Sequence, residues 1–184
     1  NSTGNLSLKK VIHITTDEVF LLGAYSEVGS IGSMFFGFYN IKTHTFHNVN
    51  WLKLDKDPNF ILNPIDVIYS NRSYYILAET YVNYKSALNN KIVLIKYDGI
   101  NVQWSKIYND NNPIHSESPS SITFSPNGNL IVGGLFKSQT DVFYRMMLAQ
   151  IDLEGQALNL KSIELKSADK SYSHRYGWIY VKSK

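Results

Sequence analysis

Three short apolar segments decide the predicted fold of this chain: residues 20–24 (FLLGA), 75–79 (YILAE) and 130–134 (LIVGG). They align without gaps, because 55 residues separate 20 from 75 and another 55 separate 75 from 130. A second segment precedes each of them, and its apolar residues alternate as they do in a β-strand. This pattern predicts pairs of strands that recur along the chain. The aligned residues of the earlier segment are Ile12 and Ile14, Val67 and Tyr69, and Ile122 and Phe124.

Short turn signals join the two strands of each pair, and two more strands follow. The clearest turn is 125–128 (SPNG), where proline presets φ and glycine accepts a positive φ. Trp51 and Trp104 mark the fourth strand in the first two units, and Leu158 takes that place in the third. No segment has the apolar spacing of a substantial helix. Third strands are predicted at 35–41, 92–97 and 146–151, and fourth strands at 46–54, 102–108 and 157–165.

Four antiparallel strands that recur every roughly 40–55 residues are typical of a β-propeller. One small twisted sheet cannot cover both of its faces, whereas sheets stacked around an axis bury both. The predicted fold is all-β, a partial propeller of about three and a fraction blades in a single segment, 1–184. The blades are approximately residues 8–62, 63–117 and 118–172, and residues 173–184 supply the first strand of a further blade.

Three and a fraction blades cannot close a ring, since known propellers have about four to eight. We therefore expect the chain to be part of a longer polypeptide, or to be completed by other copies of itself. An open twelve-stranded meander or a sandwich is the alternative architecture.

Two segments resemble the repeats of secreted bacterial β-propeller proteins. Residues 97–106 (YDGINVQWSK) resemble their D-G-N-x-x-W-x-K segment, and residues 120–134 resemble the strand–turn–strand segment of the same repeats. The pair Gly133 and Gly134, which follows an apolar strand, is also similar to kelch repeats, the second family considered. The resemblance covers roughly residues 8–166 and implies propeller architecture.

Composition excludes several classes of function. The 184 residues include no cysteine, which removes disulfides, thiolate catalysis and cysteine-ligated metals. The net charge of +3 comes mostly from scattered lysines, whereas nucleic-acid binding needs a clustered basic stripe, so no nucleic-acid partner is expected. No apolar run reaches the ~18 residues of a membrane helix, so no membrane span is predicted. The polar start at Asn1 fits an excised or processed chain, and we expect an extracellular, cell-surface or periplasmic protein.

Loop length indicates where a binding site would lie. The connections after second strands (26–33, 82–90 and 137–143) and between units (55–64, 109–119 and 166–173) are longer than the other turns. In an up-and-down sheet both classes emerge at one end, and long loops on a rigid scaffold often carry function. Tyrosine and asparagine in such loops suit recognition of protein or glycan. The candidate ligand-binding residues are Tyr25, Glu27, Tyr81, Asn83, Tyr84, His115, Glu117, Asp141 and Tyr144.

The sequence contains no catalytic motif, so the expected function is a non-enzymatic scaffold or binding module for protein or glycan. One alternative is a carbohydrate-active propeller enzyme in which acids such as Glu79 and Glu117 line a pocket. Another is a purely structural subunit of a larger assembly. No cofactor and no catalytic or metal-ligating residue is predicted, although the oxygen-rich segments 55–57 and 109–112 leave weak Ca²⁺ binding open.

Overall fold

The computed structural model describes residues 4–27, 33–52, 60–82, 90–108, 115–138 and 144–163. Twelve β-strands and no helix occur in these residues, as the alternating apolar pattern predicts. No helix in the described part of the chain is therefore long and apolar enough to cross a membrane. The strands are β1 (Gly4–Thr15), β2 (Glu18–Glu27), β3 (Ser33–Asn40), β4 (Thr45–Leu52), β5 (Phe60–Ser70), β6 (Ser73–Val82), β7 (Lys91–Tyr97), β8 (Val102–Tyr108), β9 (His115–Phe124), β10 (Leu130–Ser138), β11 (Arg145–Ile151) and β12 (Ala157–Ile163).

The strands form three four-stranded antiparallel sheets, and each sheet is an up-and-down meander. Sheet A contains β1–β4, sheet B contains β5–β8 and sheet C contains β9–β12. The prediction of an all-β chain is confirmed, and so is the prediction of four antiparallel strands per unit. A single open sheet of twelve strands is excluded for the described residues.

Sheet B lies between sheets A and C, and both of its faces are buried. Alternate residues of β6 point to opposite faces, so Tyr74 and Ile76 pack in the core shared with sheet A. Tyr75 and Leu77 pack in the core shared with sheet C. At the first of these interfaces the ring of Phe20 stacks on that of Tyr74, with ring centroids 4.2 Å apart. The first strand of sheet B contacts β1, β2 and β3, and the first strand of sheet C contacts β5, β6 and β7.

Asp66 in β5 links the first strands of all three sheets. Its Oδ1 lies 2.9 Å from Lys10 Nζ in β1 and accepts a hydrogen bond from the backbone N–H of Val67, also at 2.9 Å. Its Oδ2 accepts a hydrogen bond from the backbone N–H of Ile122 in β9 at 3.3 Å. Because a carboxylate removed from solvent needs such partners, this residue fixes how the three strands sit against one another.

The turns between third and fourth strands are built alike. In sheet B the Asp98 carboxylate accepts hydrogen bonds from the backbone N–H groups of Asn101 and Ile100, which lower the pKa of this carboxyl. In sheet C the Asp152 carboxylate accepts hydrogen bonds from the backbone N–H groups of Gln156 and Glu154.

Glycine follows in both of these turns because the backbone adopts a positive φ, 98° at Gly99 and 75° at Gly155. Each glycine carbonyl accepts a hydrogen bond from the fourth strand of the preceding sheet, from Asn48 Nδ2 at 3.0 Å and from the Tyr108 hydroxyl at 2.9 Å respectively. Burial, with a further contribution from the nearby Asp152, raises the pKa of Tyr108 to about 12. This hydroxyl therefore stays protonated and remains a donor across the whole neutral range.

The predicted loops 55–64 and 109–119 are wrong at their C-terminal ends, because β5 begins at Phe60 and β9 at His115. Pro64 and Pro119 lie inside these strands, beside irregularities in the ladder. Each of the two strands pairs with a neighbour on one side only. Proline is tolerated on an edge strand or at a bulge, so it does not end the strand here.

The gapless 55-residue alignment is wrong by one residue in the second strand of sheet C. Tyr75 faces sheet C, whereas Leu130 faces sheet B, so the residue of sheet B that corresponds to Leu130 is Tyr74. The turn in sheet C spans 125–129, and the turn in sheet B spans only 71–72. A difference in turn length shifts the register, and a shift of one residue moves a side chain to the other face.

A similar shift affects the first strands of sheets A and B. In the ladder Val11 is opposite Leu21, and Val67 is opposite Ile76. Val11, and not Ile12, is therefore the residue of sheet A that corresponds to Val67. The cause is a bulge between His13 and Thr15, which the strand pattern alone does not reveal.

Replacing Leu22 by Ala should lower the free energy of unfolding by about 2–5 kcal/mol, because this side chain is fully buried between sheets A and B. The matched control is Leu158→Ala, since Leu158 is exposed and should contribute less than about 0.5 kcal/mol. Urea unfolding followed by circular dichroism measures both variants. Equal effects of the two substitutions would contradict the packing of sheet A on sheet B.

Candidate binding face

The strands give each sheet two distinct ends. We call the end at which β2, β6 and β10 finish the loop end, and the opposite end, with the short turns 16–17, 71–72 and 125–129, the turn end. The described candidate residues all lie at the loop end. They are Tyr25 and Glu27 among the last residues of β2, Tyr81 near the end of β6, His115 and Glu117 at the start of β9, and Tyr144 directly before β11.

Three candidates, Asn83, Tyr84 and Asp141, lie outside the described residues. For Glu27, Tyr81 and His115 the structure describes the strand position alone. The predicted Ca²⁺ segments 55–57 and 109–112 also lie outside the described part of the chain. Within that part, no three His, Asp or Glu side chains come together in a way that could hold a metal ion.

Glu117 belongs to a buried polar cluster between sheets B and C, and the sequence prediction found only part of it. We call these five residues the rim cluster: Glu79 in β6, Asn90 and Lys91 at the start of β7, and Glu117 and Ser118 in β9. The Lys91 ammonium lies 3.2 Å from Glu117 Oε2, and both side chains are almost completely buried. Glu117 was predicted on a loop, but it lies on a strand, where its carboxylate points into this cluster.

Glu79 is the second buried carboxylate of the rim cluster. Its Oε1 accepts hydrogen bonds from Asn90 Nδ2 at 2.7 Å and from the Ser118 hydroxyl at 2.8 Å. The backbone N–H of Glu117 donates to the carbonyl of Asn90 at 2.9 Å, which aligns the two sheets at this position. Buried charges are tolerated where partners satisfy them, so these contacts fix the loop ends of sheets B and C relative to each other.

One sequence signal marks Glu79 as unusual. In the aligned segments the last residue is Ala24 in the first unit and Gly134 in the third, whereas the second unit has a glutamate there. A charged residue at the end of an otherwise apolar strand predicts a buried polar contact or an exposed end. Only the packing of sheet C on sheet B decides between the two.

Tyr144 and Tyr25 occupy different surroundings at the loop end. Tyr144 is 56% exposed, and the ammonium of Lys137 lies 5.0 Å from its ring centroid. Tyr25 is half-buried, and its ring meets that of Trp51 edge to face with centroids 5.7 Å apart. Tyr144 therefore offers an aromatic surface to a ligand, while Tyr25 mainly packs on its own sheet. The two tyrosines belong to sheets C and A, and the structure does not bring them together.

The turn end carries a cavity of about 290 Å³ between sheets B and C, and the sequence did not predict it. It lies beside the turns at Asn71 and Pro126, and the rings of Tyr75 and Phe124 form its apolar side. Its volume is at the lower limit of ligand pockets, about 300 Å³. Its lining contains no acidic or basic side chain, so it offers a ligand no charged partner.

Neither the models of known protein families nor the curated proteins contain a match to this chain.

Replacing Glu117 by Gln should lower the free energy of unfolding by about 3 kcal/mol, because Lys91 then keeps its buried charge without the carboxylate. The matched control is Glu154→Gln. Glu154 pairs with Lys96 at 3.0 Å but its side chain is 73% exposed, so we expect a loss of less than about 1 kcal/mol. Urea unfolding at neutral pH measures both. A loss for Glu117→Gln no larger than that of the control would contradict a buried ion pair in the rim cluster.

Proposed function

We propose that sheets A, B and C are successive blades of a β-propeller. The support is the way in which they stack. The first strand of sheet B packs against sheet A, and the first strand of sheet C packs against sheet B. The third-to-fourth-strand turns also rest on the preceding sheet in the same manner, through Gly99 and Gly155. Blades of a propeller stack around an axis with their first strands innermost, which matches this order.

The chain acts in this proposal as a non-enzymatic binding module, outside the cell or at its surface, that recognises protein or glycan through the loop end. The observation that carries the proposal is the rim cluster. Its buried ion pair and hydrogen bonds make a rigid base at that end, and rigid scaffolds position binding loops. The exposed ring of Tyr144 supplies an amphipathic surface of the kind that ligands stack on.

A carbohydrate-active enzyme is the second candidate, and one observation favours it. Two carboxylates, those of Glu79 and Glu117, are buried at the same end of neighbouring sheets. Glycoside hydrolysis uses a pair of acids that face each other across a cleft. In that case Glu79→Gln would abolish hydrolysis of a polysaccharide that the intact chain degrades, whereas a binding module would release no sugar with or without the substitution.

The binding proposal is tested by screening the chain on a glycan array and on immobilised extracellular proteins, then measuring the affinity of a retained ligand by calorimetry. Tyr144→Ala should weaken the affinity about tenfold, because the ring is lost from the contact surface. The matched control is Tyr69→Ala. Tyr69 is 46% exposed and lies at the turn end, so its replacement should change the affinity less than about twofold.

Two results would contradict the proposal. One is an affinity that depends on Tyr69 and not on Tyr144, which would place binding at the turn end. The other is a chain that retains no ligand in either screen. Circular dichroism of both variants shows that the fold is intact before affinities are compared.

A further inference from the structure

The outer face of sheet A, which points away from sheet B, is apolar and open. The strand ladder shows that the side chains of this face alternate with Phe20 and Leu22 and with their cross-strand partners, which point the other way, toward sheet B. The ring of Trp51 is 53% exposed and lies beside those of Tyr25 and Phe35, with centroids 5.7 and 5.4 Å away. A contiguous apolar patch on the surface marks an interaction site. The large exposed side chains of this face are Leu6, Leu8, Val11, Phe46 and Trp51.

The corresponding face of sheet B is buried, and the comparison shows what covers such a face. Val11 is 49% exposed, whereas Val67, its counterpart by ladder position, is 2% exposed because sheet A packs on it. The corresponding face of sheet C packs on sheet B through Ile122 and Val132. In both cases the cover is the aromatic and aliphatic face of another four-stranded sheet.

Sheet C carries the surface that would complete this pattern. Its face away from sheet B contains four aliphatic side chains, and these remain half-buried in the chain. In the strand ladder they lie on the other face of the sheet from Leu130 and Val132, whose side chains point into the core with sheet B. They are Ile131, Leu135, Met146 and Leu148.

We propose that the outer face of sheet A binds the outer face of sheet C from a second copy of this chain. The inference rests on the propeller arrangement of the proposed function, and it continues head to tail the contact that sheets A, B and C already make twice. In the residues that the structure describes, two copies that contact each other through both of these faces have six sheets, which lies within the roughly four to eight blades of known propellers. The predicted strand of a further blade, 173–184, lies outside the described part of the chain. A head-to-tail contact of this kind closes into a ring when its rotation permits.

Sedimentation velocity over a range of concentrations tests this on the intact 21.0 kDa chain. We expect a dimer that dissociates on dilution. Trp51→Lys should raise its dissociation constant at least about thirtyfold, because the large exposed aromatic contact of this face is lost and a charge is introduced. Val11→Asp, on another strand of the same face, should act in the same direction. The matched control is Ile100→Lys, on an exposed turn of sheet B, which should leave the dimer unchanged.

Circular dichroism tests whether each variant is folded. If Trp51→Lys does not fold, the result for Val11→Asp decides the outcome. A chain that is monomeric at every concentration overturns the inference, and so does a dimer that neither variant weakens. Open multimers larger than a dimer overturn the six-sheet ring. If the chain is monomeric but binds ligand through Tyr144, only this inference fails. If it dimerises through sheet A but retains no ligand, only the binding function fails.

Discussion

The structure depends on contact between sheets that are apolar on both faces. Sheet B satisfies this condition, since Tyr74 and Ile76 are covered by sheet A while Tyr75 and Leu77 are covered by sheet C. Full burial of one such side chain contributes about 1.5–3 kcal/mol, which is more than a cross-strand pair within a sheet provides. The stacking of sheets, more than strand propensity, therefore holds the chain in this fold.

Polar groups between the sheets determine how they are aligned. Asp66 joins the three first strands, the rim cluster joins sheets B and C at the loop end, and Lys96 reaches Glu154 at the turn end. Apolar faces alone would tolerate sliding, whereas a buried carboxylate needs its partners at defined positions. The loop ends of sheets B and C are consequently fixed relative to each other, as the proposed binding function requires.

Local sequence pattern predicted the strands well and the contacts between them poorly. The predicted bounds of β8, 102–108, match the structure, and Trp51 and Trp104 lie on the fourth strands as expected. The one-residue shift between Tyr74 and Leu130 escaped prediction because it depends on turn length and bulges, which barely change the apolar pattern. The contact between Glu79 and Ser118 escaped because Ser118 belongs to another sheet, and the alternation of one strand carries no information on stacking.

A double-mutant cycle between Phe20 and Tyr74 tests the stacking of sheets A and B most directly. Their rings stack with an interplanar angle of 15°, and each belongs to a different sheet. Phe20→Leu, Tyr74→Leu and the double variant are compared by urea unfolding. We expect a coupling free energy of about 1 kcal/mol, as aromatic pairs in contact give. Additive effects, within about 0.3 kcal/mol, would show that the two sheets do not pack through these residues.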